Sequence, residues 1–517
     1  MNTYFLKHRL LLRAMMLMLF FPAIAPGQPA GKGPAAMEPA VIPGDFADPS
    51  VIRVGRTFYA VGTSSEWAPH IPLFSSADLR AWKQTGYVLP QTPDWALSSF
   101  WAPEFFYADG TYYVYYVARR KSDSISCIGV ATSRFPDREF TDRGVVVSWG
   151  REAIDPYLFE ENGQRYITWK AYGLDDRPIE LLGSRLSADG LRLEGEPFSL
   201  LKDSLRQGLE GQSLVKRNGY YYLFYSVGAC CGQQCSYLLN VARSTTLAGP
   251  YTPYSGNPLL KDDEHWKCPG HGTPVQTNSG KDYFLFHAYS QKDDVFTGRQ
   301  GLLREIRWPE EGGWPAFLKA AEPLASLPAP FRDDFTSATL PVAWQWDFRH
   351  AQPEVQLRNG TLHLSGERQG TNETGVALTV RPARGNYNLV TGVVAPNESL
   401  QGLVLYGDAG QSAGIGVQGG AVQVWAVQKD KRTLLATAPL TSKKGVELKM
   451  EVREGYRCRF FYKTAGAAWK ELKTGAEGYF DARFLPPWDR SPRPGLHHLG
   501  RPGIPASFSY FSLTYQP

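Results

Sequence analysis

One arrangement of apolar and polar positions recurs along the first three hundred residues. It is clearest at residues 209–226, where a carboxylate beside a glycine leads into an apolar run, a polar–glycine turn and an aromatic-rich strand. The turns read Val54-Gly55-Arg56, Asp109-Gly110-Thr111, Asn162-Gly163-Gln164, Asn218-Gly219-Tyr220 and Ser279-Gly280-Lys281, with their glycines 55, 53, 56 and 61 residues apart. A glycine after a polar residue, between two strand-like runs, predicts a hairpin, because the tight turn needs positive φ. One hairpin per roughly 50 residues, with further short strands between, predicts propeller blades. Five copies predict five blades over residues 40–320.

Residues 321–332 are proline-rich and aperiodic, which predicts a linker. Beyond them the period changes to short alternating segments at 361–364, 375–380, 402–406, 422–426 and 446–452, separated by turn residues. This predicts an antiparallel β-sandwich over 333–517. It shows no run of clustered acids or histidines and reads as an accessory module.

The residues just ahead of each hairpin, on what would be the innermost strand of each blade, carry the chemistry. They are Ala47-Asp48-Pro49, Trp101-Ala102-Pro103-Glu104, Ile154-Asp155-Pro156, Leu209-Glu210-Gly211 and Pro269-Gly270-His271-Gly272. Asp48, Asp155, Glu210 and His271 precede their turn glycines by seven, eight, nine and nine residues. Equivalent repeat positions lie at equivalent heights, so three acids and a histidine converge at one mouth of the channel. Convergent buried carboxylates are costly unless a function requires them. Trp101 precedes Ala-Pro-Glu on an innermost strand and is the best candidate for a substrate wall; Trp67, on the blade 1 loop, is a second. Flat aromatics with carboxylates suit sugars, which offer apolar C–H faces and hydroxyl rims.

Composition adds a compartment and removes some partners. Residues 1–27 read as a secretory signal, with basic Lys7, Arg9 and Arg13 ahead of an apolar run too short to span a membrane. The mature chain is therefore expected to be secreted or periplasmic, without a membrane span. The formal net charge of +5 falls to about +2 without that segment, so nothing argues for nucleic acid or anionic membranes. Four of the six cysteines cluster as Cys230, Cys231, Cys235 and Cys268. Their spacing fits no usual zinc pattern; pairing in an oxidising compartment and free thiols both stay open, as does the connectivity.

The five motifs, in order and one per repeat, resemble glycoside hydrolase family 43. Those are five-bladed propeller enzymes acting on arabinose- and xylose-containing plant cell-wall polysaccharides and oligosaccharides. The later segment resembles, more loosely, the concanavalin-like or jelly-roll sandwich that many members append. The resemblance implies an inverting hydrolase in which Asp48 is the general base, Glu210 the general acid, and Asp155 tunes and orients the acid. Inverting pairs stand roughly 6.5–9.5 Å apart, a gap that blades 1 and 4 can span. The acid needs a raised pKa, which the charge of Asp155 is placed to supply. His271 is expected near the axis, beneath the sugar or beside a bound cation. No cofactor is required, and a calcium ion in the channel is the one metal to test. Arg299, after the blade 5 strands, is within reach of the sugar. Two residues depart from the family pattern: Gln212 stands where many members have proline, and Glu104 where many have aspartate. The adjacent cysteines resemble those of arabinan-active members, and the sandwich resembles that of exo-acting ones. The expectation is an exo-acting α-L-arabinofuranosidase. The alternatives are a β-D-xylosidase, an endo-arabinanase, an enzyme acting on β-D-galactofuranose and a non-catalytic carbohydrate-binding propeller.

Overall fold

The computed structural model describes residues 38–309, 312–318, 328–440, 445–475 and 477–517. The expected signal at 1–27 lies outside these residues, as do residues 321–327 of the expected linker at 321–332. Among the described residues the structure is all-β, and no helix is long and apolar enough to cross a membrane.

Residues 38–318 form five four-stranded antiparallel sheets, each a meander in chain order. The innermost strands are Ser50–Val54, Ala96–Ala108, Ala153–Glu161, Leu209–Arg217 and Trp266–Gln276. Each is followed by its hairpin partner. In blades 2, 3 and 4 the connection is the two-residue loop Asp109-Gly110, Asn162-Gly163 or Asn218-Gly219, with positive φ at both positions. That is the type I′ turn whose twist matches the flanking strands. Blade 5 uses a longer loop, Gln276 pairing with Asp282.

Successive innermost strands touch around the ring, and blade 5 closes on blade 1. The incoming chain seals this joint: Ile42 bridges Gly301 on the third strand of blade 5, and the Phe46 amide donates to the Arg299 carbonyl at 2.7 Å. Between blades the alternating apolar residues interlock. Ile128 and Val130 of blade 2, for example, meet Ile167 and Trp169 of blade 3, all fully buried.

The second part is a sandwich of a nine-stranded and a six-stranded sheet around one core. Four of the five alternating segments read from the sequence lie wholly in its strands, and the fifth, 375–380, overruns the strand Val376–Thr379 by one residue at each end. Leu448, Met450 and Val452 show the period of two, facing inward between half-exposed neighbours. Phe331–Asp333, at the expected end of the linker, already pairs with the sandwich's last strand, Ala506–Tyr515. The sandwich is tied to blade 1. Trp346–Asp347 pairs with Trp67–Ala68, Gln345 donates to the Pro69 carbonyl at 2.9 Å, and Arg381 donates to the Asp45 carbonyl at 3.1 Å.

Candidate active site

The motif residues sit where the innermost strands break register. The ladder of blade 3 slips between Ile154 and Tyr157, that of blade 4 between Glu210 and Ser213, and that of blade 5 between Lys267 and Gly272. Backbone φ is positive at Asp48, Asp155, Gly211 and His271. A bulge inserts an unpaired residue and re-aims its side chain, and such left-handed positions cluster at functional sites. Here the bulges of blades 3, 4 and 5, and on blade 1 the left-handed Asp48 just ahead of the strand Ser50–Val54, turn side chains into one network.

Asp48 is its most constrained member. Thr63 Oγ1 donates to Oδ2 at 2.6 Å, and the Arg299 Nη1 donates to Oδ1 at 3.0 Å. His271 Nδ1 stands 3.3 Å from the same Oδ1. The Asp48 amide donates to His287 Nδ1 at 3.0 Å, so that nitrogen is an acceptor and the ring is neutral. Burial pushes the His287 pKa well down, which agrees. Burial also pushes the Asp48 pKa up, but Arg299 and then His271 outweigh it and hold the carboxyl far below its usual range. Asp48 is an anion.

Asp155 and Glu210 form the other half. His271 Nδ1 is 3.8 Å from Asp155 Oδ2, and the Gly211 amide, next to Glu210, donates to that oxygen at 2.9 Å. Lys170, from the second strand of blade 3, donates to Glu210 Oε2 at 2.8 Å. The expected direction of tuning is reversed. Burial, with the Glu210 charge, pushes Asp155 up to about 7, whereas Lys170 overcomes burial and lowers Glu210. The two carboxyls are thus pushed apart, Asp155 up and Glu210 down. His271 is a cation: burial lowers it, but Asp155 and Asp48 dominate and raise it to about 9.

The two departures from the family pattern have places here. Gln212 Nε2 donates to the Asp155 carbonyl and to Thr168 Oγ1, bracing the blade 3 bulge from blade 4. Glu104 is buried, accepts from Ser50 Oγ at 2.6 Å, and is pushed up to about 8 by burial.

Of the two tryptophans, only Trp101 borders this region. Its Nε1 donates to Asp489 Oδ2 at 3.2 Å, and its ring meets Trp488 edge-on at 5.9 Å. Trp67 does not line the site. It is 1 % exposed, packed against Tyr406 and beneath Arg493 of the sandwich, because its short strand pairs with that part. Arg299 is buried and bound to Asp48; its Nη2 also donates to the Asp489 carbonyl at 3.2 Å. The sandwich loop at 486–491 thus reaches the propeller mouth, with Trp488 59 % exposed beside Trp101. Lys170, His287, Thr63 and this loop escaped the sequence reading. Only the Pro486-Pro487-Trp488-Asp489 run, a rigid aromatic-tipped segment, was a signal for any of them.

The clustered cysteines pair as Cys230–Cys231 and Cys235–Cys268, leaving Cys127 and Cys458 free and buried. A calcium ion finds no ready donor set. Calcium takes six to eight oxygens, His271 Nδ1 is turned to two carboxylates as a protonated donor, and among the described residues no group of three or more acidic, histidine or cysteine side chains is arranged to hold a metal.

Comparison with known proteins follows this division. The family described as Glycosyl hydrolases family 43 matches residues 37–315, and the Beta xylosidase C-terminal Concanavalin A-like domain matches residues 332–485. Similar curated proteins include the Xylan 1,3-beta-xylosidase of a Vibrio species, 26 % identical over 63 % of this chain and 68 % of its own length. The Extracellular exo-alpha-(1->5)-L-arabinofuranosidase ArbA of Cellvibrio japonicus is 29 % identical over 52 % and 86 %. Among solved structures, the GH43 BlXynB protein of Bacillus licheniformis superposes with a TM-score of 0.79 at 22 % identity, covering 92 % of this chain and 99 % of that one. Bacteroides ovatus Xyloglucan PUL GH43B gives the same TM-score and identity over 93 % and 100 %.

Proposed function

This chain belongs to the glycosyl hydrolases of family 43, and we propose that it is an inverting, exo-acting α-L-arabinofuranosidase. The observation that carries the mechanism is the pair of basic groups on Asp48 Oδ1, Arg299 Nη1 at 3.0 Å and His271 Nδ1 at 3.3 Å. Arg299 and His271 keep Asp48 ionised, and an anion is what a general base must be. In this reading Asp48 takes a proton from a water molecule, which attacks the anomeric carbon. Glu210 protonates the leaving oxygen from the opposite side. Asp155 orients the acid by accepting from the Gly211 amide next to it, and after each turnover Asp48 releases its proton to solvent while Glu210 takes one up. His271, a cation between Asp48 and Asp155, fixes both carboxylates at the channel axis.

Exo-action is supported by the sandwich loop. Asp489 and Trp488 stand against Arg299 and Trp101, and a loop so placed narrows one side of the mouth. The two indoles offer apolar faces to a sugar. The arabinose assignment is supported by similarity to ArbA and to an arabinanase of Bacillus subtilis, both described as extracellular. With two disulfides among the described residues, this favours a secreted or periplasmic protein. A second reading, β-D-xylosidase, is favoured by the sandwich, whose matching family carries that name.

The test is release of p-nitrophenol from the α-L-arabinofuranoside and the β-D-xylopyranoside, side by side. Faster release from the arabinofuranoside is expected. Faster release from the xyloside would move the substrate to xylo-oligosaccharides; silence on both, with cleavage of linear arabinan, would overturn exo-action.

A further inference from the structure

Lys170 lies opposite Ile154, beside the bulge that presents Asp155. Its ammonium is buried between two carboxylates, 2.8 Å from Glu210 Oε2 and 3.8 Å from Glu152 Oε1. Glu152 is 7 % exposed, and its Oε2 has no hydrogen-bond partner. That carboxylate is admitted by Gly173, where a Cβ would come within 2.1 Å of Oε2. A buried Glu–Lys–Glu row is a poor source of stability, since apolar replacements of such sets are often neutral or stabilising.

We propose that Lys170 and Glu152 are positioning residues for the acid: Lys170 holds Glu210 Oε2, so that Oε1 carries the transferred proton, and Glu152 offsets the lysine's charge so that Glu210 can take that proton up. This rests on Glu210 being the general acid. An ammonium has three donors and no acceptor, so the oxygen bound to it is not the one protonated. In the reaction the Oε1 proton passes to the glycosidic oxygen, which keeps the electron pair of the breaking C–O bond. The Glu210 anion left behind is held by Lys170, while Asp48 receives the proton of the attacking water.

The charged and titratable groups facing this row are few. Glu210 meets Lys170, His271 and Tyr237, and is coupled to Asp155. Lys170 meets Glu210, Glu152 and Asp155. Glu152 meets Lys170, Glu210 and, from blade 2, Arg119. Removing the lysine and removing its counter-charge should therefore move the acid in opposite directions.

The experiment is the pH dependence of kcat/KM for wild type, Lys170→Met and Glu152→Gln. It uses an arabino-oligosaccharide, whose leaving group needs the acid, and an activated aryl arabinofuranoside, which does not. Lys170→Met should raise the alkaline limb on the oligosaccharide by about 1–3 units, the range an adjacent opposite charge imposes. Its kcat should also fall at the optimum, because Oε2 has lost its anchor. Glu152→Gln should lower the same limb by a smaller amount, on the order of half a unit, since its charge acts from farther away. The aryl substrate should show neither loss. Limbs that stay in place, or shift the same way in both variants, would overturn the proposal. If Lys170→Met does not fold, the downward shift in Glu152→Gln and retention of the limb in Lys170→Arg still decide it. Glu210→Gln separates this inference from the reading beneath it. If that variant still cleaves the oligosaccharide, the acid assignment fails. If it is inactive while the other variants behave as wild type, only the positioning roles fail.

Discussion

Replacing Arg299 by methionine keeps the length and apolar stem of the side chain and removes only the guanidinium. In the native site Nη1 lies 3.0 Å from Asp48 Oδ1, both side chains being almost wholly buried. Breaking a buried pair from one side leaves an uncompensated charge at a cost of ~3–5 kcal/mol. At 1.36 kcal/mol per unit that is about 2–4 units of upward shift in Asp48. The imidazolium of His271, 3.3 Å away, remains, so the lower end, about 2 units, is expected. The sign follows from protonation: Asp48 is depressed in the native protein, and losing its cation lets it bind a proton at higher pH. The acidic limb of kcat/KM for an activated aryl glycoside should therefore move up by about that amount. Activity near neutrality should be affected less than activity at the acid end of the profile, where the base begins to take up its proton. Arg299→Lys restores the charge and should bring most of the limb back, although the second contact, to the Asp489 carbonyl, is lost or weakened. A pH-independent loss in Arg299→Met, with the limb in place, would refute the argument and show that Arg299 acts by shape or by touching the sugar.

Glu104 provides a stability counterpart. Its carboxyl is raised by burial from 4.5 to about 8, so the folded state binds a proton that the unfolded state has released, and stability falls as pH rises between those values. Glu104→Gln should melt near the wild-type temperature at pH 5 and above it at pH 9, by differential scanning calorimetry; an equal offset at both pH values would contradict the burial account. Trp488→Ala should raise KM for oligosaccharides roughly two- to tenfold, taking ~0.5–1.5 kcal/mol for a lost aromatic face. It should leave kcat near wild type, and an unchanged KM would remove Trp488 from the sugar's path. Exhaustive chelation should change neither rate nor melting temperature. A fall in either, restored by calcium, would place a cation in the channel with donors beyond the side chains described above.

The repeat was legible because a propeller writes its period into the chain. Each blade needs a first hairpin with a glycine at its turn, and in blades 2, 3 and 4 the Asn–Gly or Asp–Gly pair that makes it tight is a local necessity. The approach of Asp48, Asp155 and His271 followed from that period, since similar offsets from the turn, seven to nine residues, mean similar heights at the axis. What the period does not carry is the charge balance among the residues so assembled. Asp155 was expected to raise Glu210, but a cation in direct contact outweighs a like charge, and the Lys170 ammonium holds Glu210 down. Lys170 sits on the Glu210 side, near the end of the strand Gln164–Ala171, with no motif around it. Trp67 was misplaced for a related reason: an indole on a blade loop looks the same in sequence whether it meets a sugar or another part of the chain. Its partner, Trp346–Asp347, lies about 280 residues away. The loop carrying Trp488 and Asp489 is farther still from the motifs it touches. Contacts across the seam between propeller and sandwich thus set two features of the site, the anchoring of Arg299 and the wall beside Trp101. A chain cut after the fifth blade would keep the three acids and the hairpins, yet lose the carbonyl that holds the Arg299 guanidinium against its base. The sandwich is in this sense part of the candidate site, although it supplies none of the three acids.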